Sequence, residues 1–260
     1  MSRPPTSHVG PREWNADVYH RVSGPQYEWA TEVLDRLELL GDEVVLDAGC
    51  GSGRVTALLV ERVPRGRVIG VDASESMIAK ARETLGGRAE LRVASLTELD
   101  LEKAVDVVFS NAVFHWIPDH DALFARLHRA LRPGGRLVAQ CGGEGNVASL
   151  ARAIVEVAVQ PPFAEHFADM EVIWNFSSPG DAERRLRDAG FERVECWLEP
   201  KPVTPEDPLT YLATVTLGPH LERLPDSLAE PFVSAVAERM PSPLTLDYVR
   251  LNINARRPDE

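Results

Sequence analysis

The sequence has few cysteines, no long apolar run and a deficit of basic residues, and each shortage excludes something. Cys50, Cys141 and Cys196 are the only 3 cysteines in 260 residues and stand far apart. An odd number without a Cys-x-x-Cys pair builds neither a disulfide framework nor a zinc site and suits inert thiols in a reducing compartment. No window approaches the roughly 20 apolar residues of a membrane span. The opening "MSRPP" leads into polar residues rather than the apolar core of a secretion signal. The cytoplasm is therefore the expected location, and a membrane is not an expected partner. Lysine and arginine total 28 against 40 aspartates and glutamates, a formal charge of −12. A surface field of that sign repels polyanions and aids solubility, so a small molecule rather than nucleic acid is the expected ligand.

What is present suffices for a core. With 44% apolar and 26% charged residues the chain is too apolar for a disordered one. Residues 1–13, rich in Pro, Ser, Gly and Arg, read as a loose leader, and residues 14–260 as a single domain. In "SGPQYEWATEVLDRLELL" the spacing of Trp29, Val33, Leu37 and Leu40 predicts a helix that Gly41 ends. Apolar runs at "EVVLDAG", "RVIGVDAS", "ELRVAS", "VDVVFSN" and "GRLVAQCG" then alternate with helical stretches such as "SESMIAKARETL" and "HDALFARLHRAL". That alternation implies an α/β fold with a parallel sheet covered on both faces, and ligands at the carboxyl ends of its strands. Helical insertions are expected at 145–175 and 205–240. The final strand, in "LTLDYVRLNINARR", alternates Val249, Leu251 and Ile253 with Arg250, Asn252 and Asn254, the period of a sheet with unlike faces.

The chemistry starts at "VVLDAGCGSGR". A buried strand ends in Asp47 and turns through Gly49, Gly51 and Gly53 into a helix, so the backbone can pass close to a ligand with no Cβ between them. The spacing is G-x-G-x-G, and the dinucleotide fingerprint G-x-G-x-x-G places its third glycine one position later. This counts against a nicotinamide oxidoreductase. The second strand ends at Asp72, 19 residues past Gly53, where a carboxylate can accept hydrogen bonds from ribose hydroxyls.

These residues resemble the class I S-adenosylmethionine-dependent methyltransferases. Val44 to Gly53 look like the first motif of that family, Asp72 like its ribose-binding acid, and "LRPGGRLV" like the turn before its fifth strand. The correspondence covers residues 14–141 well and the remainder loosely. It implies a Rossmann-like, seven-stranded mixed sheet with the last strand antiparallel, and S-adenosyl-L-methionine as cofactor. On the same ground Gly49, Gly51 and Gly53 would line the methionine end, and Asp47 would orient the loop or reach the amino group. Asp72 and the adjoining Ala73 would meet the ribose, while Met77, Ser95 and Leu96 would meet the adenine. Ser95 stands where the family usually has an acid, and a hydroxyl accepts a weaker hydrogen bond than a carboxylate. Tyr19 and Gln26 would fold over the cofactor in a lid segment, 14–40, in which Trp14 and Trp29 are either lid or core aromatics.

At the end of the fourth strand, "FSNAVFHWIPDH" would put Asn111, also a cofactor-binding candidate, with Val113, Phe114, His115 and Trp116 beside the transferred methyl. The segment resembles that of trans-aconitate and juvenile-hormone-acid methyltransferases, which esterify carboxylates, and "REWNADVY" resembles their N-terminal segment. A carboxylate with a pKa of about 4 is ionised at neutral pH and needs no base. Here the Trp116 indole N–H and a ring nitrogen of His115 would hold its oxygens, with Phe114 excluding water. With a phenol, alcohol or carbon acid as acceptor, His115 would be the general base instead. A third reading makes the protein a non-catalytic binder of the cofactor. No metal is expected, because His115, His120 and His128 have no Cys or acid at zinc-site spacing. The 205–240 insertion would either cap the acceptor pocket or complete the core or a homodimer contact.

Overall fold

A computed structural model describes residues 24–170 and 174–260. Helix α1 (Gly24–Asp35) leads into strand β1 (Val44–Ala48), and the chain continues through α2 (Arg54–Arg62), β2 (Arg67–Asp72), α3 (Glu75–Leu85), β3 (Glu90–Val93) and β4 (Val105–Asn111). Helix α4 (His120–Ala130), β5 (Leu131–Gly142), α5 (Ala148–Ala158), α6 (Pro179–Asp188), β6 (Glu192–Pro200), α7 (Asp226–Ala237) and β7 (Val249–Arg256) follow. Short helical turns lie at 164–167 and between 208 and 221.

The seven strands form one sheet in the order β3-β2-β1-β4-β5-β7-β6. Strands β1 to β5 pair in parallel, and β7 runs antiparallel to both of its neighbours. The chain steps outward from β1 to β3 and then returns to the other side of β1, so the order reverses between β1 and β4. In an open α/β sheet the crevice beyond the carboxyl ends at that reversal is where ligands bind.

Both faces of the sheet are covered. On one, Ala30, Val33, Leu34 and Leu37 pack with Leu59 against Val45, Val68, Val107 and Phe109. On the other, Leu123, Phe124 and Leu127 of α4 and Leu186 of α6 meet Leu46, Ile69, Val108 and Ile253. A third cluster is separate from the sheet: Leu150, Ile154, Phe163, Leu212, Phe232 and Val236 join the two expected insertions to one another. Helix starts are fixed locally. Ser74 accepts the Met77 N–H at the head of α3, and Asp119 accepts that of Ala122 at the head of α4.

Two details depart from the sequence pattern. The helix ends at Asp35, Glu38 takes a left-handed φ of 47°, and Leu40 is 80% exposed rather than the last position of the apolar stripe. The polar face of β7 is not a solvent face. Arg250 and Asn252 are each 2% exposed, because α1 lies over them and Gln140 of β5 beside them. Gln140 donates from Nε2 to Asn252 Oδ1 at 2.9 Å, which supplies one of the partners a buried amide requires.

Candidate active site

At the crevice between β1 and β4 the three glycines separate in role. Each has a positive φ, which glycine adopts at no steric cost. A Cβ on Gly49 would lie 2.2 Å from Val113, and one on Gly53 would lie 3.1 Å from both Ala81 and Leu85. Those two positions are bare so that the β4 loop and α3 can approach. A Cβ on Gly51 would meet nothing within 4 Å, so this is the position that keeps space for a ligand.

That space is a cleft of about 540 Å³ including its open mouth, lined among others by Asp47, Gly49, Gly51 and Asn111. Tyr27 and Arg54 also line it, the guanidinium 3.9 Å from the ring centroid, a cation–π contact that links α1 to the glycine loop. Asp72 ties the loop down. Its carboxylate accepts the Gly51 N–H at 2.9 Å and the Ser74 N–H at 3.0 Å, and a carboxylate has capacity for further donors. Asp47 is 1% exposed and accepts the Thr56 hydroxyl at 2.7 Å. Burial, opposed by that hydrogen bond and reinforced by the Asp72 charge, pushes its carboxyl up to about 7. A buried acid of this kind suits a cationic amine, and the bare Gly51 suits a close backbone approach. The cradle thus fits the amino acid end of S-adenosylmethionine.

The other expected cofactor residues lie beyond this cleft. Ala73 follows Asp72 at the mouth of the crevice, half-buried, and Met77 is buried on α3. Ser95 caps a turn over Leu96–Glu98 by accepting the Thr97 N–H at 3.3 Å, and Leu96 belongs to the core. Tyr19 and Trp14 lie outside the described residues, and Gln26 is described only as a position in α1. Trp29 is a core aromatic.

Past Asn111 the chain turns through Ala112, held at φ 61°, an uncommon conformation for a residue with a Cβ. Ala112 lines the cofactor cleft and also a second one of about 450 Å³ including its mouth, so it stands where the two meet. His115 and Trp116 line the second cleft, on a short turn over Phe114–Trp116. Phe114 does not. It is buried edge-on against Phe124 with ring centroids 5.9 Å apart, and its carbonyl accepts from His120 Nε2 at 2.9 Å. The aromatic neighbours of His115 are Trp116, at 5.1 Å between ring centroids, and Phe176, at 5.9 Å and itself stacked on Trp174.

His115 is 7% exposed, and its Nδ1 accepts the Gly142 backbone N–H at 3.2 Å. An Nδ1 that accepts leaves the ring proton on Nε2, the neutral tautomer that donates a hydrogen bond. Burial, then the charge of Arg250 and then His120, hold the imidazole well below its ordinary pKa. Arg250 lines this cleft too. Its guanidinium stacks 4.8 Å from the Trp29 ring centroid and donates from Nε to Gln140 Oε1 at 3.4 Å. The alternation of β7 marked Arg250 only as a member of its polar face, without a place in the site. No signal in the sequence separates such a buried polar face from a solvated one.

Among the described residues no group of three or more His, Cys, Asp or Glu is placed to hold a metal ion, and no helix is long and apolar enough to cross a membrane.

A parallel sheet with its last strand reversed, a glycine loop hydrogen-bonded to the acid at the tip of β2, and a second cleft meeting the first at Ala112 are the features that an S-adenosylmethionine-dependent methyltransferase would use. A family model described as a methyltransferase domain matches residues 45–135. The chain is 30% identical over 245 residues to a trans-aconitate 2-methyltransferase of Variovorax paradoxus, covering 92% of this chain and 94% of that protein. It is 36% identical over 186 residues to one of Methylobacterium nodulans, covering 72% and 67% respectively. A Haemonchus contortus phosphoethanolamine N-methyltransferase solved with S-adenosylhomocysteine shares the fold, with a TM-score of 0.62 at 21% identity over 94% of this chain and 57% of that one. The chain belongs to the class I S-adenosylmethionine-dependent methyltransferases, and S-adenosyl-L-methionine is its cofactor.

Proposed function

We propose that the protein methylates a carboxylate oxygen of a small-molecule acid, giving a methyl ester. The observation that carries this reading is the Gly142 N–H on His115 Nδ1. With that nitrogen occupied and the imidazolium disfavoured by burial, His115 is a poor general base for a phenol, alcohol or carbon acid. As a donor through Nε2 it suits an acceptor that is already an anion. The relatives named trans-aconitate 2-methyltransferase point the same way.

Bound S-adenosylmethionine supplies an electrophilic methyl on a cationic sulfonium. The chain's own work is orientation, which can supply roughly 7–11 kcal/mol of a barrier. In this reading Asp47 and Gly51 hold the amino acid end, Gly49 and Gly53 shape the loop, and Asn111 sits beside it. Asp72 and Ala73 meet the ribose, and Met77, Ser95 and Leu96 the adenine side. Ala112 leaves the passage between the clefts open. His115 and Trp116 donate to the carboxylate, and the apolar walls exclude water. The negative net charge supports a small-molecule partner over nucleic acid or an anionic membrane, and the few widely spaced cysteines support an assignment to the cytoplasm. The 205–240 segment would close the acceptor side, with a homodimer contact as its other use.

The test is turnover with methyl-deuterated S-adenosylmethionine against a panel of carboxylic acids, phenols and alcohols. Labelled esters cleaved by mild alkali support the reading. Label on phenols or alcohols alone refutes it, and absence of any turnover with S-adenosylhomocysteine bound points to a cofactor-binding protein without catalysis.

A further inference from the structure

The turn that carries His115 and Trp116 is fastened by a distant piece of chain. Residues 174–177 cross it, and their side chains alternate in use. Trp174 and Phe176 wall the acceptor cleft, whereas Asn175 and Ser177 bond to the turn and to α4. The Asn175 backbone N–H donates to the His115 carbonyl at 2.9 Å. Its side-chain Nδ2 donates to the carbonyls of Ile117 at 3.3 Å and Pro118 at 3.0 Å. His120, the first residue of α4, joins the two pieces: its Nε2 meets the Phe114 carbonyl at 2.9 Å and its Nδ1 meets the Ser177 hydroxyl at 3.1 Å. A carbonyl only accepts, so Nε2 carries the proton and Nδ1 takes that of Ser177. Burial, opposed by the Phe114 carbonyl, holds this imidazole below its ordinary pKa, in keeping with the neutral form.

On the other side, Gly142 donates to His115 Nδ1, and a Cβ on Gly142 would lie 2.6 Å from the Phe176 ring. The residue that orients the His115 ring is thus also the one against which residues 174–177 pack. A single 3-10 turn is held poorly by its own hydrogen bonds, here those of the Trp116 and Ile117 N–H groups to Val113 and Phe114, so its direction depends on outside partners.

We propose, building on the ester-forming reading above, that Asn175 and His120 are positioning residues for the methyl acceptor. They act through the backbone of the 114–118 turn, fixing His115 Nε2 and the Trp116 indole where the acceptor's carboxylate is received. Through residues 174–177 they tie those donors to the aromatic wall, so that donors and wall keep one geometry. Hydrogen bonds weaken steeply when a donor is turned away, and orientation is the main contribution asked of this chain.

One arm of the test needs no acceptor. In 15N-labelled protein saturated with S-adenosylhomocysteine, the His115 ring nitrogens and the Gly142 amide report whether Nδ1 keeps its donor. Asn175→Ala and His120→Leu should shift these signals, while S-adenosylhomocysteine affinity by calorimetry stays within about twofold, because the cofactor cleft lies beyond Ala112. His120→Gln, whose amide N–H can reach the Phe114 carbonyl as Nε2 does, should restore them. The kinetic arm uses trans-aconitate, trans-cinnamate and octanoate as acid probes. On the best of these, Asn175→Ala and His120→Leu should raise KM about tenfold with a smaller change in kcat, and His120→Gln should recover most of the loss. In a His115→Ala, Trp116→Ala background, Asn175→Ala should change kcat/KM by less than about twofold, since the groups it positions are gone. A purely structural role would lower thermal stability and active fraction, leave KM alone and act equally in both backgrounds. If His120→Leu does not fold, Asn175→Ala, at a half-buried position, carries both arms. Unmoved signals and KM in the folded variants, or an equal effect in both backgrounds, overturn the proposal and leave ester formation intact. If no carboxylic acid of the turnover panel is methylated although the signals move as stated, ester formation is refuted and the hold of Asn175 and His120 on His115 is upheld.

Discussion

His115 and Arg250 line the same cleft, and after the larger effect of burial it is the charge of Arg250 that keeps His115 neutral. A neutral donor that does not titrate near pH 7 leaves no histidine limb in the pH profile. With an ionised acid as acceptor, kcat on saturated enzyme should be flat across roughly pH 6.5 to 8.5, where an ordinary histidine loses its proton. His115→Gln retains an N–H donor and should keep activity within about tenfold, whereas His115→Ala should lose about 10- to 100-fold. A bell-shaped profile with a limb near 7, or a glutamine variant as damaged as the alanine one, would restore His115 as a base.

Asp47 makes cofactor binding depend on pH. Its folded pKa of about 7 lies above the ordinary 3.8, so between those values the folded chain holds a proton that the unfolded chain has lost. The unliganded protein should therefore lose stability as pH rises through that window, and should be better off on its acidic side. A cationic amine favours the ionised carboxylate. S-adenosylhomocysteine binding should accordingly release a proton and tighten with rising pH by up to about tenfold per unit, levelling above about 7. Calorimetry in two buffers of different ionisation enthalpy measures the release, and Asp47→Asn should abolish it. Proton uptake in place of release would mean that the amine binds elsewhere.

The glycine loop can be taken apart by substitution. Gly51→Ala places a methyl in open space at a left-handed φ, a strain of about 1–2 kcal/mol, yet it should weaken S-adenosylhomocysteine by about tenfold or more because the methyl enters the cradle. Gly53→Ala adds to the same strain an overlap with Ala81 and Leu85, for a total of about 2–4 kcal/mol, with a smaller loss of affinity in the folded fraction. Thermal unfolding and calorimetry on the two variants check the opposite ordering of stability and binding.

Ala112 gives a sharper contrast. At φ 61° a glycine relieves strain, so Ala112→Gly should stabilise or leave unchanged the protein, by up to about 1 kcal/mol. Ala112→Val puts a β-branched residue there and narrows the junction of the two clefts. It should cost about 2 kcal/mol or more, and should lower kcat further than it weakens cofactor binding. Unfolding curves and steady-state kinetics measure the two effects separately.

The sheet was legible because its central strands are buried on both faces and read as apolar runs, and the turn chemistry at Gly49–Gly53 marked the crevice. Asp47, Gly51 and Asn111 could be expected at the crevice because a local motif puts them at strand ends and in the turn, and there the structure has them. Arg250 could not, since period-2 alternation distinguishes two faces of a strand without telling whether the second one meets water or α1. Phe114 was misplaced for a related reason: a three-residue turn rotates successive side chains apart, and the strand end alone does not say which one enters the cleft. Leu40 failed because the helix stopped five residues earlier, where Glu38 changes hand. What remained illegible depended on contacts between segments far apart in the chain.

The hydrophobic cluster formed by the two insertions is separate from the clusters on either face of the sheet, yet Val147, Trp174, Phe176 and Val215 belong to it and also wall the acceptor cleft. Part of the acceptor wall is thus anchored in a cluster apart from the sheet, whereas Phe109 of the cofactor cleft belongs to a cluster on the sheet. Exchanges among Val147, Trp174, Phe176 and Val215 can therefore reshape the acceptor wall with little disturbance to the glycine loop.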